Sequence, residues 1–250
     1  MALGRAKIAM SDGLSVWVLD APDGFGDADF HAHHAIQITV VLAGRLTLAT
    51  ADTVLQGPAI AVAADATHRF QASGLLAFVF VEPESRWGRA LSEACAGRDM
   101  MALDAAPLLR ALAPLARTFD EALTPAALIA AGRAAVDAVV PTVEPAMPDP
   151  RIARVIDHVA HHAATSLDAA ARAAGVFLSP SRLRHLFVEQ TGLPFKTFML
   201  WQRLTRAIDA YAEGHSLTEA AHGAGFSDSA HFSRVFRRTF GLPATTLTRL

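Results

Sequence analysis

The chain of 250 residues has a single cysteine, Cys95. That excludes an internal disulfide framework and any paired Cys-x-x-Cys site, and it fits a reducing compartment. Cys95 itself reads as a small buried apolar side chain. Long hydrophobic runs are also missing, because Arg133 and Asp137 interrupt the most apolar stretch before it reaches a membrane-spanning length. No apolar segment of the signal-peptide kind follows Arg5 and Lys7. A cytoplasmic protein without membrane contact is expected. There is no Ser-His-Asp pattern and no phosphate-binding loop. With 52% hydrophobic and 18% charged residues, the chain has enough apolar surface for one large core or two modest ones.

Charge is scarce overall but unevenly placed. The net charge is −2, yet residues 1–150 hold 10 Lys+Arg against 17 Asp+Glu, a formal −7, and residues 151–250 hold 12 against 7, a formal +5. An acidic front half followed by a basic back half points to a polyanion as partner of the second half alone.

The first 83 residues read as β structure. Leu14–Leu19, Ile36–Leu42, Arg45–Ala49, Ala59–Ala63 and Leu75–Val81 are short runs rich in branched or aromatic residues. Pro22-Asp-Gly, Ala43-Gly44, Gly57-Pro58 and Ser73-Gly74 separate most of them as expected turns, the pattern of a small barrel or sandwich. Residues 84–140 change to alanine and leucine at helical spacing. Leu108, Leu109, Leu112, Leu115, Ala116 and Phe119 form one stripe, and a second helix is expected from about Pro125 to Val140. Such helices either cover the β-domain or pair with a second subunit. Residues 141–150 hold four prolines in ten positions, an extended connector at which a domain boundary is placed.

The last hundred residues repeat themselves. Leu167, Ala171, Gly175, Phe187, Gly192 and Pro194 are echoed by Leu217, Ala221, Gly225, Phe236, Gly241 and Pro243, with one extra residue in the first copy. Each copy reads as helix, tight turn, helix. Ser166 or Ser216 opens the first helix, the second of these with the capping pattern Ser216-Leu-Thr-Glu219. Gly175 or Gly225 ends it where a left-handed residue is needed. The second helix begins at Ser179-Pro180 or Ser227-Asp228. Leu183, Leu186 and Phe187, and then Phe232, Val235 and Phe236, form the inward stripes. Ser181, Arg182, Arg184 and His185 remain outside in the first copy. Ser229, Ala230, His231, Ser233, Arg234, Arg237 and Arg238 remain outside in the second. Two such faces in a basic domain suit hydrogen bonding to base edges and phosphates in a DNA major groove.

With both copies in view, residues 151–250 resemble the paired helix-turn-helix domain of the AraC/XylS family of transcriptional regulators. The resemblance is carried by Gly225-Phe226, Ser227-Asp228, Phe232 to Phe236, Arg237-Arg238 and Gly241 to Pro243. It implies two helix-turn-helix units joined by a long helix, about Phe195 to Ala212, with both second helices entering successive major grooves of double-stranded DNA. It further implies that Ser181, Arg184, His185, Ser229, Ala230, Ser233 and Arg234 face bases. Several of these are small, so recognition leans on Arg184 and Arg234, each able to contact guanine through two hydrogen bonds, while Arg237, Arg238 and Lys196 are better placed for phosphate.

The β-domain ahead of this module resembles the cupin-like effector domain that many such regulators carry. The metal-binding cupin pattern is approached by Gly26, His31, His33, Gln37, Gly44 and His68. On a strand, residues 31, 33 and 37 share a face while His34 points away. Three neutral imidazoles could hold a divalent transition metal. Gln37 stands where a carboxylate would, however, and residues 63–68 lack the usual proline and glycine. Three readings stay open at this point: a metal that is structural or assists effector binding, a metal-free effector pocket, or plain core polarity.

The expected fold is α+β: a cupin-like β-barrel, following helices, and an all-α domain of two helix-turn-helix units. The expected function is sequence-specific DNA binding under control of a small-molecule or metal effector, in a homodimer, without catalysis. RNA polymerase is a candidate further partner. The rival reading is a cupin-type metalloenzyme, a dioxygenase or isomerase, with a helical appendage.

Overall fold

The computed structural model describes residues 5–11, 13–25, 28–120, 123–140, 149–162, 166–246 and 248–249. Gly26 and most of the proline-rich connector lie outside them. Among the described residues the strands are β1 (Arg5–Ser11), β2 (Leu14–Ala21), β3 (Ile36–Ala49), β4 (Val54–Gln56), β5 (Ala59–Val62), β6 (Arg69–Val81), β7 (Met100–Ala102) and β8 (Thr248–Arg249). They form one sheet in the order β7-β5-β3-β6-β2-β1-β8, with β4 on β3. The ladder is antiparallel except where β8 joins β1. The α+β expectation holds, with an open path of strands whose one face packs on helices of the C-terminal half.

Two expected turns are not turns. Ala43-Gly44 and Ser73-Gly74 lie within the long strands β3 and β6, with Gly44 directly opposite Gly74. The strands approach so closely there that a Cβ on Gly44 would stand 2.0 Å from the Ser73 carbonyl oxygen, and one on Gly74 2.1 Å from that of Ala43. Both glycines also have positive φ, +115° and +98°. A register shift between Val41 and Ala43 changes which face the even-numbered residues of β3 present. Ile36, Ile38 and Val40 lie in one core, with Val79 and Val81, whereas Leu46 and Leu48 lie in the other, with Phe70, Phe78 and Phe80.

Nine helices are described: α1 (Arg86–Cys95), α2 (Ala105–Arg117), α3 (Pro125–Val139), α4 (Pro150–His161), α5 (Leu167–Ala173), α6 (Pro180–Thr191), α7 (Phe195–Ala212), α8 (Leu217–Gly223) and α9 (Ser229–Phe240). Helices α2 and α3 cover one sheet face through Leu108, Leu112, Leu115, Phe119, Leu128 and Val136. Their apolar stripe is therefore spent on the domain's own sheet; Ala116, expected on that stripe, is exposed. The other sheet face packs on α7 and α9: Trp17, Leu48, Phe78 and Phe80 share a core with Trp201, Leu204, Phe232, Phe236 and Phe240. Helices α4, α5 and α6 make a third core with Phe198 of α7. The expected boundary after residue 150 shifts slightly, because Pro150 is already the first residue of α4, capped by Asp149.

The facing glycines give the first prediction. Gly44→Ala should destabilise the protein by more than about 2 kcal/mol, because the added methyl has no space and φ is positive. Gly57→Ala, with nothing within 4 Å of its Cβ, should change stability by less than about 0.5 kcal/mol. Denaturant titration of the two variants measures the contrast.

Candidate nucleic-acid interface and histidine cluster

The repeat folds as two helix-turn-helix units. Ser166 caps α5 and Ser216 caps α8, the latter with Glu219 returning a carboxylate to the Ser216 backbone N–H. Gly175 and Gly225 take φ of +69° and +85° in the turns. Ser179, with Pro180 at the first position, opens α6, and Asp228 opens α9 by accepting the His231 backbone N–H. The connecting helix α7 runs from Phe195 to Ala212, as the resemblance implied. The Arg206 guanidinium donates to the Val159 and Ala160 carbonyls and ties α7 to the end of α4.

On α6 the residues assigned to DNA, Ser181, Arg182, Arg184 and His185, are all exposed, and Leu183, Leu186 and Phe187 are buried. On α9, Ala230, Arg234, Arg237 and Arg238 are exposed, while Ser229, His231 and Ser233 are half-buried. Ser233 already donates its hydroxyl to the Ser229 carbonyl, and His231 packs against Phe226 and Ser227. Arg182 and Arg184 on α6, and Arg234, Arg237 and Arg238 on α9, are the exposed long cationic side chains of the two faces.

The histidines converge, though along a different backbone path from the expected one. Residues 32–35 are not strand; His31 forms an isolated antiparallel bridge with His68, and β3 starts only at Ile36. One nitrogen from each of His31, His33 and His68 lies within 4.8 Å of the others, and all three side chains are buried. Gln37 joins them, its Oε1 3.0 Å from His33 Nε2. His34 points away, to the buried carboxylate of Glu84 at 2.8 Å.

Each ring of the cluster is oriented through Nδ1. His31 Nδ1 lies 2.8 Å from the Asp29 carbonyl, His33 Nδ1 2.8 Å from that of Ala35, and His68 Nδ1 2.8 Å from that of Ala66. These contacts require a proton on Nδ1, which leaves each Nε2 as a lone-pair donor. Burial lowers the His31 pKa to about 4 and pushes those of His33 and His68 below the usual range, His68 also through repulsion by its two neighbours. The cluster is therefore neutral at pH 7. The His68 Nε2 is buried with no hydrogen-bond partner. His33 Nε2 faces a Gln37 oxygen that is also an acceptor, unless the amide turns so that its oxygen takes the Thr39 hydroxyl proton instead. The orphaned His68 Nε2 beside two further neutral imidazoles fits a transition-metal ion bound by three histidines, with the Gln37 amide oxygen next to them. With Gln37 in place of a carboxylate, the set supplies neither an anionic ligand nor a general base.

His34 has the opposite character. Burial opposes its charge, but Glu84 and Asp65 outweigh burial and raise its pKa to about 9. Asp65 acts by charge, since it stands 4.0 Å from Nδ1, beyond a hydrogen bond.

The cluster and the second unit meet. The Phe240 ring lies 5.9 Å from that of His33, and the Gly241 carbonyl accepts the Asp29 backbone N–H at 3.2 Å. Sequence reasoning missed this junction, because Phe240 and Gly241 have ordinary roles within their own unit.

A helix-turn-helix domain model matches residues 170–249. The arabinose operon regulatory protein of Escherichia coli is 34% identical over 95 residues, 37% of this chain and 32% of that protein. This helix-turn-helix domain is similar to that of the AraC-family arabinose regulators. It aligns with about a third of the length of the arabinose regulators it matches. Over nearly the whole chain the fold resembles that of ToxT from Vibrio cholerae O395, with 12% identity, a TM-score of 0.54, and coverage of 96% of this chain and 100% of ToxT. A ToxT structure with a bound unsaturated fatty acid gives 12% identity and a TM-score of 0.51 over 92% of each chain. Among the described residues no helix is long and apolar enough to cross a membrane.

The cluster gives the second prediction. Zinc at a hundredfold excess over its Kd should raise the melting temperature by roughly 5 °C or more. The shift should vanish in His68→Ala and in His31→Ala. A shift that survives both substitutions would place the ion elsewhere.

Proposed function

We propose that this protein is a sequence-specific DNA-binding transcriptional regulator whose β-domain senses a metal or a small polar molecule at His31, His33, Gln37 and His68. The observation that carries the DNA half is the pair of solvent-facing helices α6 and α9, each behind a glycine turn in an AraC-type domain. Arg184 and Arg234 read bases; Arg238 and Lys196 hold phosphate; Arg237, which pairs with Asp29 at 2.9 Å, is a further phosphate ligand once released from it. A homodimer would present four such helices to an extended site. The fatty acid bound to ToxT supports a small-molecule effector for this fold, while the neutral imidazoles favour a metal in this chain.

In a metal-loaded state the ion would act as a positive centre that fixes three rings. The chain's own residues do the rest. The Asp29, Ala35 and Ala66 carbonyls orient the rings, and Phe80 and Phe240 exclude water from beside His33. The effector then shifts the population of domain arrangements that place the reading helices correctly. The metalloenzyme alternative is disfavoured by the lack of a basic ligand at residue 37.

Selection of bound duplexes from a random pool, with and without chelator, tests the proposal. One enriched sequence family, altered by chelation, is expected; no enrichment in either condition would defeat the regulator reading. Within that sequence, Arg234→Ala should relax preference at one position at a cost of about 1–3 kcal/mol. Arg238→Ala should weaken all duplexes alike and flatten the salt dependence. Identical binding profiles for the two variants would contradict the division between base and phosphate contacts.

A further inference from the structure

The two repeats differ in what surrounds the ends of α6 and α9. Gly192, at the end of α6, has φ +75° and nothing within 4 Å of its Cβ direction. Gly241, its counterpart, has φ +71°, and a Cβ there would stand 2.5 Å from His31 Nδ1 and 2.7 Å from the Asp29 carbonyl oxygen. Val188 in the first copy corresponds to Arg237 in the second, so the guanidinium at this position belongs to the second copy alone.

Asp29 takes up both features. Its carboxylate oxygen Oδ2 receives Arg237 Nε at 3.0 Å and Nη2 at 2.9 Å. Its backbone N–H donates to the Gly241 carbonyl at 3.2 Å. Its own carbonyl accepts the His31 Nδ1 proton at 2.8 Å. One residue of the acidic half thus grips the end of the second reading helix twice and the histidine cluster once. Arg237 is bound much as a phosphate oxygen would bind it.

We propose that Asp29 is a latch between the histidine cluster and the DNA-reading helix α9, and that a metal ion at the cluster tightens the latch and weakens DNA binding. The metal part rests on the cluster reading given above; the latch part does not. A carboxylate and a duplex phosphate compete for the same guanidinium, so DNA binding releases Arg237 from Asp29. A cation on His31 Nε2 makes the Nδ1 proton a stronger donor to the Asp29 carbonyl and fixes the ring against Gly241. The latched form then holds the metal more tightly than the released form, and by linkage DNA lowers metal affinity by the factor by which metal lowers DNA affinity.

The test uses the full chain, a fluorescent duplex enriched in the selection above, and zinc as the metal. In chelator, Asp29→Asn should bind the duplex roughly two- to fivefold more tightly than the unaltered protein, the range of an exposed ion pair. Asp29→Arg should bind more tightly still. Asp23→Arg, on the exposed turn after β2, makes the same charge change and should have less effect. Thermal melts of each variant identify any loss of fold. If both Asp29 variants fold and bind DNA as the unaltered protein does, or if Asp23→Arg matches Asp29→Arg, the latch is overturned. Zinc should weaken DNA binding by the unaltered protein, and less so in Asp29→Asn. Zinc that binds through His68 yet leaves DNA affinity unchanged, or raises it, overturns the coupling and spares the metal site. Absence of zinc binding by calorimetry overturns the cluster reading and the metal part together, while the Asp29 series in chelator still decides the latch.

Discussion

The two halves of this chain become one body at a small aromatic junction. Trp17 of the sheet stacks on Phe236 of α9, with ring centroids 6.2 Å apart and planes 8° apart, and lies 4.9 Å from Phe240. Phe80 closes the group at 5.6 Å from Phe240. Aromatic rings of this size bury more apolar surface than any other side chains, and their removal from water is the main force holding the second helix-turn-helix unit on the sheet. At the edge of the junction Trp201 donates to Glu82, and the exposed Arg237–Asp29 pair carries little of its energy.

That junction gives α6 and α9, the two proposed reading helices, different surroundings. Helix α6 belongs to a unit with its own core and shows solvent a complete face. Helix α9 shares its core with the sheet and keeps its N-terminal part and its arginines outside. On the proposed function, base contacts fall toward the N-terminal part of α9, whereas docking uses its last turn. One helix can therefore serve both contacts, and competition between them falls on Arg237. The asymmetry of charge in the sequence, acidic before basic, has a local expression in the Arg237–Asp29 pair.

Much of the output side was legible in the sequence because it is written in local chemistry. Caps at Ser166, Ser179, Ser216 and Asp228, left-handed glycines at 175 and 225, and a 3.6-residue stripe are decided by neighbours a few residues away. The strands were less legible. A glycine that permits two strands to touch uses the same letter as a glycine that turns a chain, so Gly44 and Gly74 read as turns. β1, Arg5-Ala-Lys-Ile-Ala-Met-Ser, passed unread because it is only partly buried and lacks a clean alternation. The histidines were found by spacing, and their convergence followed, although a bridge between His31 and His68 brings them together where a continuous strand was expected. The docking of α9 left no sequence signal, since Phe236 and Phe240 would be apolar in an isolated unit as well.

The central claim is that the end of α9 is latched to the histidine cluster through Asp29 and that this latch opens when the protein engages DNA. Hydrogen exchange of residues 28–35 and 236–242, with and without an enriched duplex, addresses it directly. The account predicts that the Asp29 amide, protected by the Gly241 carbonyl in the free protein, exchanges faster when DNA is bound, while the Phe187 and Gly192 amides of the first unit do not. Unchanged protection at Asp29 under saturating DNA would contradict it.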